Sequence, residues 1–181
     1  KASLLETLTG LSGMPILLGT KDPDEIVETV VRLAPTFGAI QLEDISAPRC
    51  FAIEERIQAR VGIPVMHDDQ HGTAVVVTAT LINAAKATGV DPSRGRIGVI
   101  GLGAAGLALA KMLMFRFENP VFGADIAPDA LERLERAGGV PSDLKSVMAG
   151  CQVVIATTGV PGLIKKEMVR PGQIILALSN P

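Results

Sequence analysis

The first part of the chain alternates between apolar residues at helical spacing and short apolar runs that end in acids. Ile26, Val30 and Leu33 share one face of a predicted helix over 22–34. Asp22 is placed to cap it, Pro23 takes its first position, and Asp24 and Glu25 complement its dipole. Residues 38–42 (GAIQL) predict a strand running into Glu43 and Asp44. Residues 47–62 predict a second helix, and 63–66 (IPVM) a second strand running into His67, Asp68 and Asp69. A long apolar helix is predicted over 72–88. The turn-rich VDPSRG (90–95) then divides the chain into segments 1–90 and 91–181. Beyond it come the strand RIGVIG, a helix over 104–116, the strand PVFGA, helices over 128–137 and 141–149, and the strands QVVIAT and QIILAL. Strands alternating with helices predict an α/β fold with a doubly wound parallel sheet.

The strand RIGVIG meets its helix through Gly101-Leu102-Gly103-Ala104-Ala105-Gly106, a G-x-G-x-x-G run in the strand–loop–helix context that gives the pattern meaning. Gly101 permits the tight turn, Gly103 lets the backbone approach a pyrophosphate, and Gly106 lets helix and strand pack closely. Asp125 follows about 20 residues on, at the end of the next strand, where an acid binds adenosine ribose hydroxyls. Segment 91–181 therefore reads as a Rossmann-type dinucleotide-binding unit. NAD is favoured over NADP, because a carboxylate repels a 2′-phosphate and no Arg or Lys follows Asp125 until Arg133. The alternative is an ordinary glycine turn and a strand-end Asp.

Composition narrows the class. The 181 residues include no Trp, no Tyr and five Phe, so Val, Ile, Leu and Ala build the core, as suits parallel strands buried on both faces. A formal charge of −2 offers no basic field for nucleic acid or an anionic membrane. No apolar run reaches membrane-spanning length, and the opening KASLLETLTG lacks a secretory pattern. Cys50 and Cys151 fit no metal spacing and read as buried reduced thiols. A soluble, cytoplasmic protein is expected.

The acids carry the second candidate site. If the strands ending in Glu43-Asp44 and Asp68-Asp69 are neighbours, their carboxylates converge at the strand ends where ligands of parallel α/β proteins sit. Like charges that close call for a cation, and oxygen donors suit Mg²⁺ or Mn²⁺. Such a metal would chelate a hydroxy acid and polarise its oxygen. Helix caps or solvated loop acids are the other reading of the same spacing. His67 and His71 flank the cluster and are not assigned a role.

TKDPDEIVETV, LEDISAPRCFAIEERIQ, IPVMHDDQHGTAVV and GLGAAGLALAK together resemble the malic enzyme family in its compact bacterial form, and the likeness continues through VVIATTGVPGLI to ALSNP. LEDI followed by HDDQHGTA is far more specific than the glycine loop. The resemblance implies that 1–90 is part of the family's N-terminal metal and substrate domain. It further implies oxidative decarboxylation of malate to pyruvate and CO₂ with NAD(P) and a divalent metal, in a protein expected to be a homodimer when complete. By motif, Glu43, Asp44 and Asp69 would be the metal ligands, Asp68 a neighbouring site residue, and Lys1 the general base. Gly101 to Gly106 with Asp125, Thr157 and Asn180 would contact the cofactor. The family's tyrosine acid and substrate-gripping arginine have no counterpart here, so the chain resembles part of a longer enzyme and is expected not to turn over malate alone. Two rival readings predict different behaviour. A metal-independent amino-acid dehydrogenase would bind the cofactor without a metal effect, and a non-catalytic dinucleotide-binding module would bind it without turnover.

Overall fold

A computed structural model describes residues 1–178. Its elements run α1 (Ala2–Thr9), α2 (Pro23–Leu33), β1 (Ile40–Leu42), α3 (Arg49–Gln58), β2 (Val65–His67) and α4 (Asp68–Thr88), then β3 (Ile97–Ile100), α5 (Ala104–Phe117), β4 (Val121–Ala124), α6 (Pro128–Arg136), β5 (Val140–Ser142), α7 (Leu144–Gly150), β6 (Val153–Ala156) and β7 (Ile174–Ala177).

Two parallel sheets result. In the smaller one β1 pairs with β2, Leu42 opposite His67, which makes Glu43 and Asp68 the next residues along the two strands. α2 and α3 cover this pair through Ile26, Val27, Val30, Ile53 and Ile57. The Asp22 carboxylate caps α2 as its position predicts, accepting from the Asp24 and Glu25 N–H groups at 2.8 and 3.0 Å.

The larger sheet has the order β5-β4-β3-β6-β7, all parallel. Renumbered from β3, that is the 3-2-1-4-5 order of the doubly wound dinucleotide-binding fold. Alternate residues serve opposite faces. Ile97, Val99, Val153 and Ile155 pack under α4, α5 and α6; Ile100, Val154 and Ala156 pack against Val147 and Met148 of α7. The fold is thus α/β and doubly wound. Helix α4, although it leads out of the small sheet, buries Ala74, Val77 and Leu81 in the large sheet's core, at the i, i+3, i+7 spacing of one helical face.

Three elements differ from expectation. The helix predicted over 72–88 begins at Asp68, so Asp68 and Asp69 occupy its first turn, where the dipole favours acids. The helix predicted over 141–149 is instead the short edge strand β5 followed by α7; Pro141 is tolerated there because an edge strand has unpaired N–H positions. Helix α1 was not anticipated, and it buries none of its residues. No helix of the described residues is long and apolar enough to cross a membrane.

Candidate functional site

Each glycine of the loop has a distinct physical task. Gly101 adopts φ +90°, a conformation that strains side-chain-bearing residues. A Cβ on Gly106 would overlap the Gly101 carbonyl oxygen and stand 2.7 Å from the Thr157 hydroxyl oxygen. Gly103, the N-cap of α5, has no atom near its Cβ position. Open space lies over this residue at the start of the helix. The N–H groups of Ala104, Ala105 and Gly106 in the first turn of α5 have no partner within the helix.

The loop is held from three directions. Gly101 N–H donates to the Ala124 carbonyl at 2.8 Å. The Thr157 hydroxyl donates to the Gly101 carbonyl at 2.7 Å. Leu102 N–H donates to Asp125 Oδ2 at 2.6 Å, while Asp125 Oδ1 accepts from Ala127 N–H at 2.9 Å. Asp125 therefore ends β4 as expected and also ties the glycine loop to the turn before α6, a structural role its sequence position did not reveal. Arg133, the first cation after it, is committed elsewhere. It pairs with Asp129 at 2.9 Å and lies over the Phe51 ring, 5.8 Å from its centroid.

Two of the acids, Glu43 and Asp68, come together. With Leu42 and His67 paired, Glu43 and Asp68 leave the two strands side by side, and both carboxylates converge on Lys1 Nζ. These two hydrogen bonds, Asp68 first, hold the Lys1 ammonium well above its ordinary range, the reverse of what a general base needs in this arrangement. Asp44 takes a left-handed backbone, φ +58°, which Asp tolerates better than most residues, and its N–H donates to Asp69 Oδ2 at 3.1 Å. At Gly72 an added Cβ would stand 2.5 Å from Asp68 Oδ1, so this glycine leaves room for that carboxylate over the first turn. Among the described residues, no three His, Cys, Asp or Glu side chains form a ready metal-holding set. The donor chemistry nonetheless fits a hard cation: acids from adjacent strand ends have already drawn the Lys1 ammonium between them.

Gln70 and His71 of α4 line a cavity of ≈ 200 Å³ together with Leu107, Ala108 and Lys111 of α5, so the start of α4 packs beside the helix that the glycine loop opens. Asn180, the remaining candidate, lies outside the described residues. Sequence reasoning missed Glu54, a buried acid beneath the cluster. Its signal was present: it sits on the apolar face of α3 with Cys50, Ile53 and Ile57.

Fold and site together define a parallel α/β protein with a dinucleotide-type glycine loop and an acidic strand-end cluster. Residues 18–58 match the family described as "Malic enzyme, N-terminal domain". The whole chain is 54% identical to NAD-dependent malic enzyme 1 of Bacillus subtilis, covering 42% of that enzyme. It is 35% identical to the NADP-dependent malic enzyme of Escherichia coli, covering 26% of it. In structure, 99% of the chain superposes on 52% of the NAD-dependent malic enzyme of Thermotoga maritima, with TM-score 0.88 and 32% identity. The chain is similar to malic enzymes over its whole length, and it spans less than half the length of these curated relatives.

Proposed function

We propose that this chain supplies the cofactor- and metal-binding part of an enzyme that oxidatively decarboxylates malate to pyruvate and CO₂, with NAD preferred over NADP. The observation that carries the reading is the packing of α4 against α5, which joins the helix carrying the acid turn to the helix that the glycine loop opens. Segment 91–181 holds the dinucleotide. Gly101 to Gly106 and the first turn of α5 receive its pyrophosphate and Asp125 its adenosine ribose; by the family resemblance Thr157 and Asn180 would also contact the cofactor. Segment 1–90 contributes the acids. Glu43, Asp44 and Asp69 would hold Mg²⁺ or Mn²⁺, which when bound supplies Lewis-acid polarisation of the substrate oxygen.

The chain's own residues bind and orient. Asp68 holds a proton at Lys1 Nζ in the present arrangement, and Lys1 serves as base only when that pairing and the one to Glu43 are withdrawn. The chain contains no tyrosine to act as the acid that the family resemblance implies, so it does not turn over malate by itself. The complete enzyme is cytoplasmic and homodimeric in this reading.

Calorimetry on the folded chain tests the cofactor reading. NAD should bind, and more tightly than NADP. Binding of neither overturns the site, and tighter NADP binding overturns the assignment of Asp125 alone. For catalysis, purified chain with malate, NAD and Mn²⁺ should give no NADH absorbance. Turnover near about 10 s⁻¹, ordinary for enzymes, would mean that another residue here serves as the acid.

A further inference from the structure

We propose that Glu54 is the positioning residue of the acid cluster: from α3 it sets the first turn of α4, and with it the carboxylates of Asp68 and Asp69, against the end of β1. Glu54 is 6% exposed. A carboxylate is costly to bury unless its oxygens are well bonded, and this one is. Oε1 accepts from His67 N–H at 2.9 Å and Oε2 from Gln70 Nε2 at 3.1 Å. His71 Nε2 reaches the two oxygens at 3.0 and 3.1 Å.

All three partners fall within residues 67–71, bracketing the two acids. His67, the N-cap of α4, gives the helix no side-chain cap, so its start is fixed from outside, by a group on another helix. The linkage extends one step further. The His67 imidazole is 0% exposed, neither of its ring nitrogens has a hydrogen-bond partner, and its Nε2 lies 3.8 Å from Asp69 Oδ2. By holding the His67 backbone, Glu54 keeps this ring under Asp69, whose Oδ2 also accepts from Asp44 N–H at 3.1 Å. Groups behind metal ligands act in this way, by limiting the orientations the ligands can take.

The part of the proposal that concerns a metal rests on the cation-binding reading of the cluster; the part that concerns the turn does not. The test compares the full chain with Glu54→Ala and Glu54→Gln. Binding of Mn²⁺ is read from loss of the free-ion electron paramagnetic resonance signal, and amide hydrogen exchange is followed over 67–72 and over 97–110. Glu54→Ala should weaken Mn²⁺ binding by about 10–100-fold and speed exchange over 67–72, leaving 97–110 unchanged. Glu54→Gln keeps an acceptor for His67 N–H and should restore part of both, which a purely space-filling role would not require. If Glu54→Ala does not fold, Glu54→Gln decides: wild-type affinity together with wild-type exchange overturns the proposal. Wild-type protein that binds no Mn²⁺, with exchange moved as expected, sinks the metal reading and leaves the positioning role standing. Mn²⁺ bound by wild type with exchange over 67–72 unmoved in a folded Glu54→Ala sinks the positioning role.

Discussion

The glycine loop and the acid cluster lie at the starts of two helices that pack together, α5 and α4, and are built on different principles. The loop is a backbone device. Its N–H and carbonyl groups are tied to Ala124, Asp125 and Thr157, and its shape follows from which Cβ atoms are missing. The cluster is a side-chain assembly. Its carboxylates repel one another, so their arrangement depends on which cation stands among them, here Lys1 Nζ. The surroundings differ in the same sense. The loop rests on a sheet covered by helices on both faces, whereas α1, next to Lys1, buries nothing, and Leu4, Leu8, Leu11, Met14 and Leu17 lie exposed. A site made of backbone is complete once its sheet folds. A site made of like charges is completed by what binds it.

The largest expected effect breaks the loop. Gly106→Ala drives a methyl into the Gly101 carbonyl, which β3 prevents from moving, and should cost about 3 kcal/mol or more. Denaturant unfolding measures it, and a midpoint equal to wild type would show that the loop yields. Gly103→Ala is the matched control. Open space and φ −69° predict stability within about 0.5 kcal/mol of wild type, while NAD affinity falls about tenfold, roughly 1.4 kcal/mol, by calorimetry.

Next comes the tie at Asp125. Asp125→Ala leaves the Leu102 and Ala127 N–H groups without their acceptor and should cost about 1–3 kcal/mol in stability as well as weaken NAD. Loss of NAD affinity at full stability would confine Asp125 to ribose binding. A smaller effect is expected in the other region. Lys1→Met removes both ion pairs of a side chain that is 46% exposed, and exposed pairs contribute less than about 1 kcal/mol. A larger loss would make the cluster a structural element in its own right.

The smallest effect is a pH dependence. Burial raises the Cys151 thiol, and likewise Cys50, above the ordinary value near 9.0. The folded protein therefore holds these protons more tightly than the unfolded chain. Stability from this source is complete below that value and declines as pH rises above it. Unfolding midpoints at pH 8 and above 9 should show a slight fall that Cys151→Ser reduces.

Much of this molecule is legible in local sequence. Helical spacing and short apolar runs locate α2 to α6 and most strands. Asp22 and Pro23 mark the start of α2 by the donors a helix end leaves unpaired, and Gly101 and Gly106 are legible because each answers a short-range steric demand. Where local signals conflict, the reading fails: β5 holds Pro141 within a helix-like stretch, and only pairing with β4 makes it a strand. Two further features were decided by tertiary structure alone. Helix α4 begins at Asp68 because Glu54, 14 residues earlier (68 − 54) and on another helix, bonds its first turn. Asp125 meets Leu102 because β4 lies beside β3. Contacts across that separation depend on how whole elements pack, and no residue's neighbours in sequence carry that information.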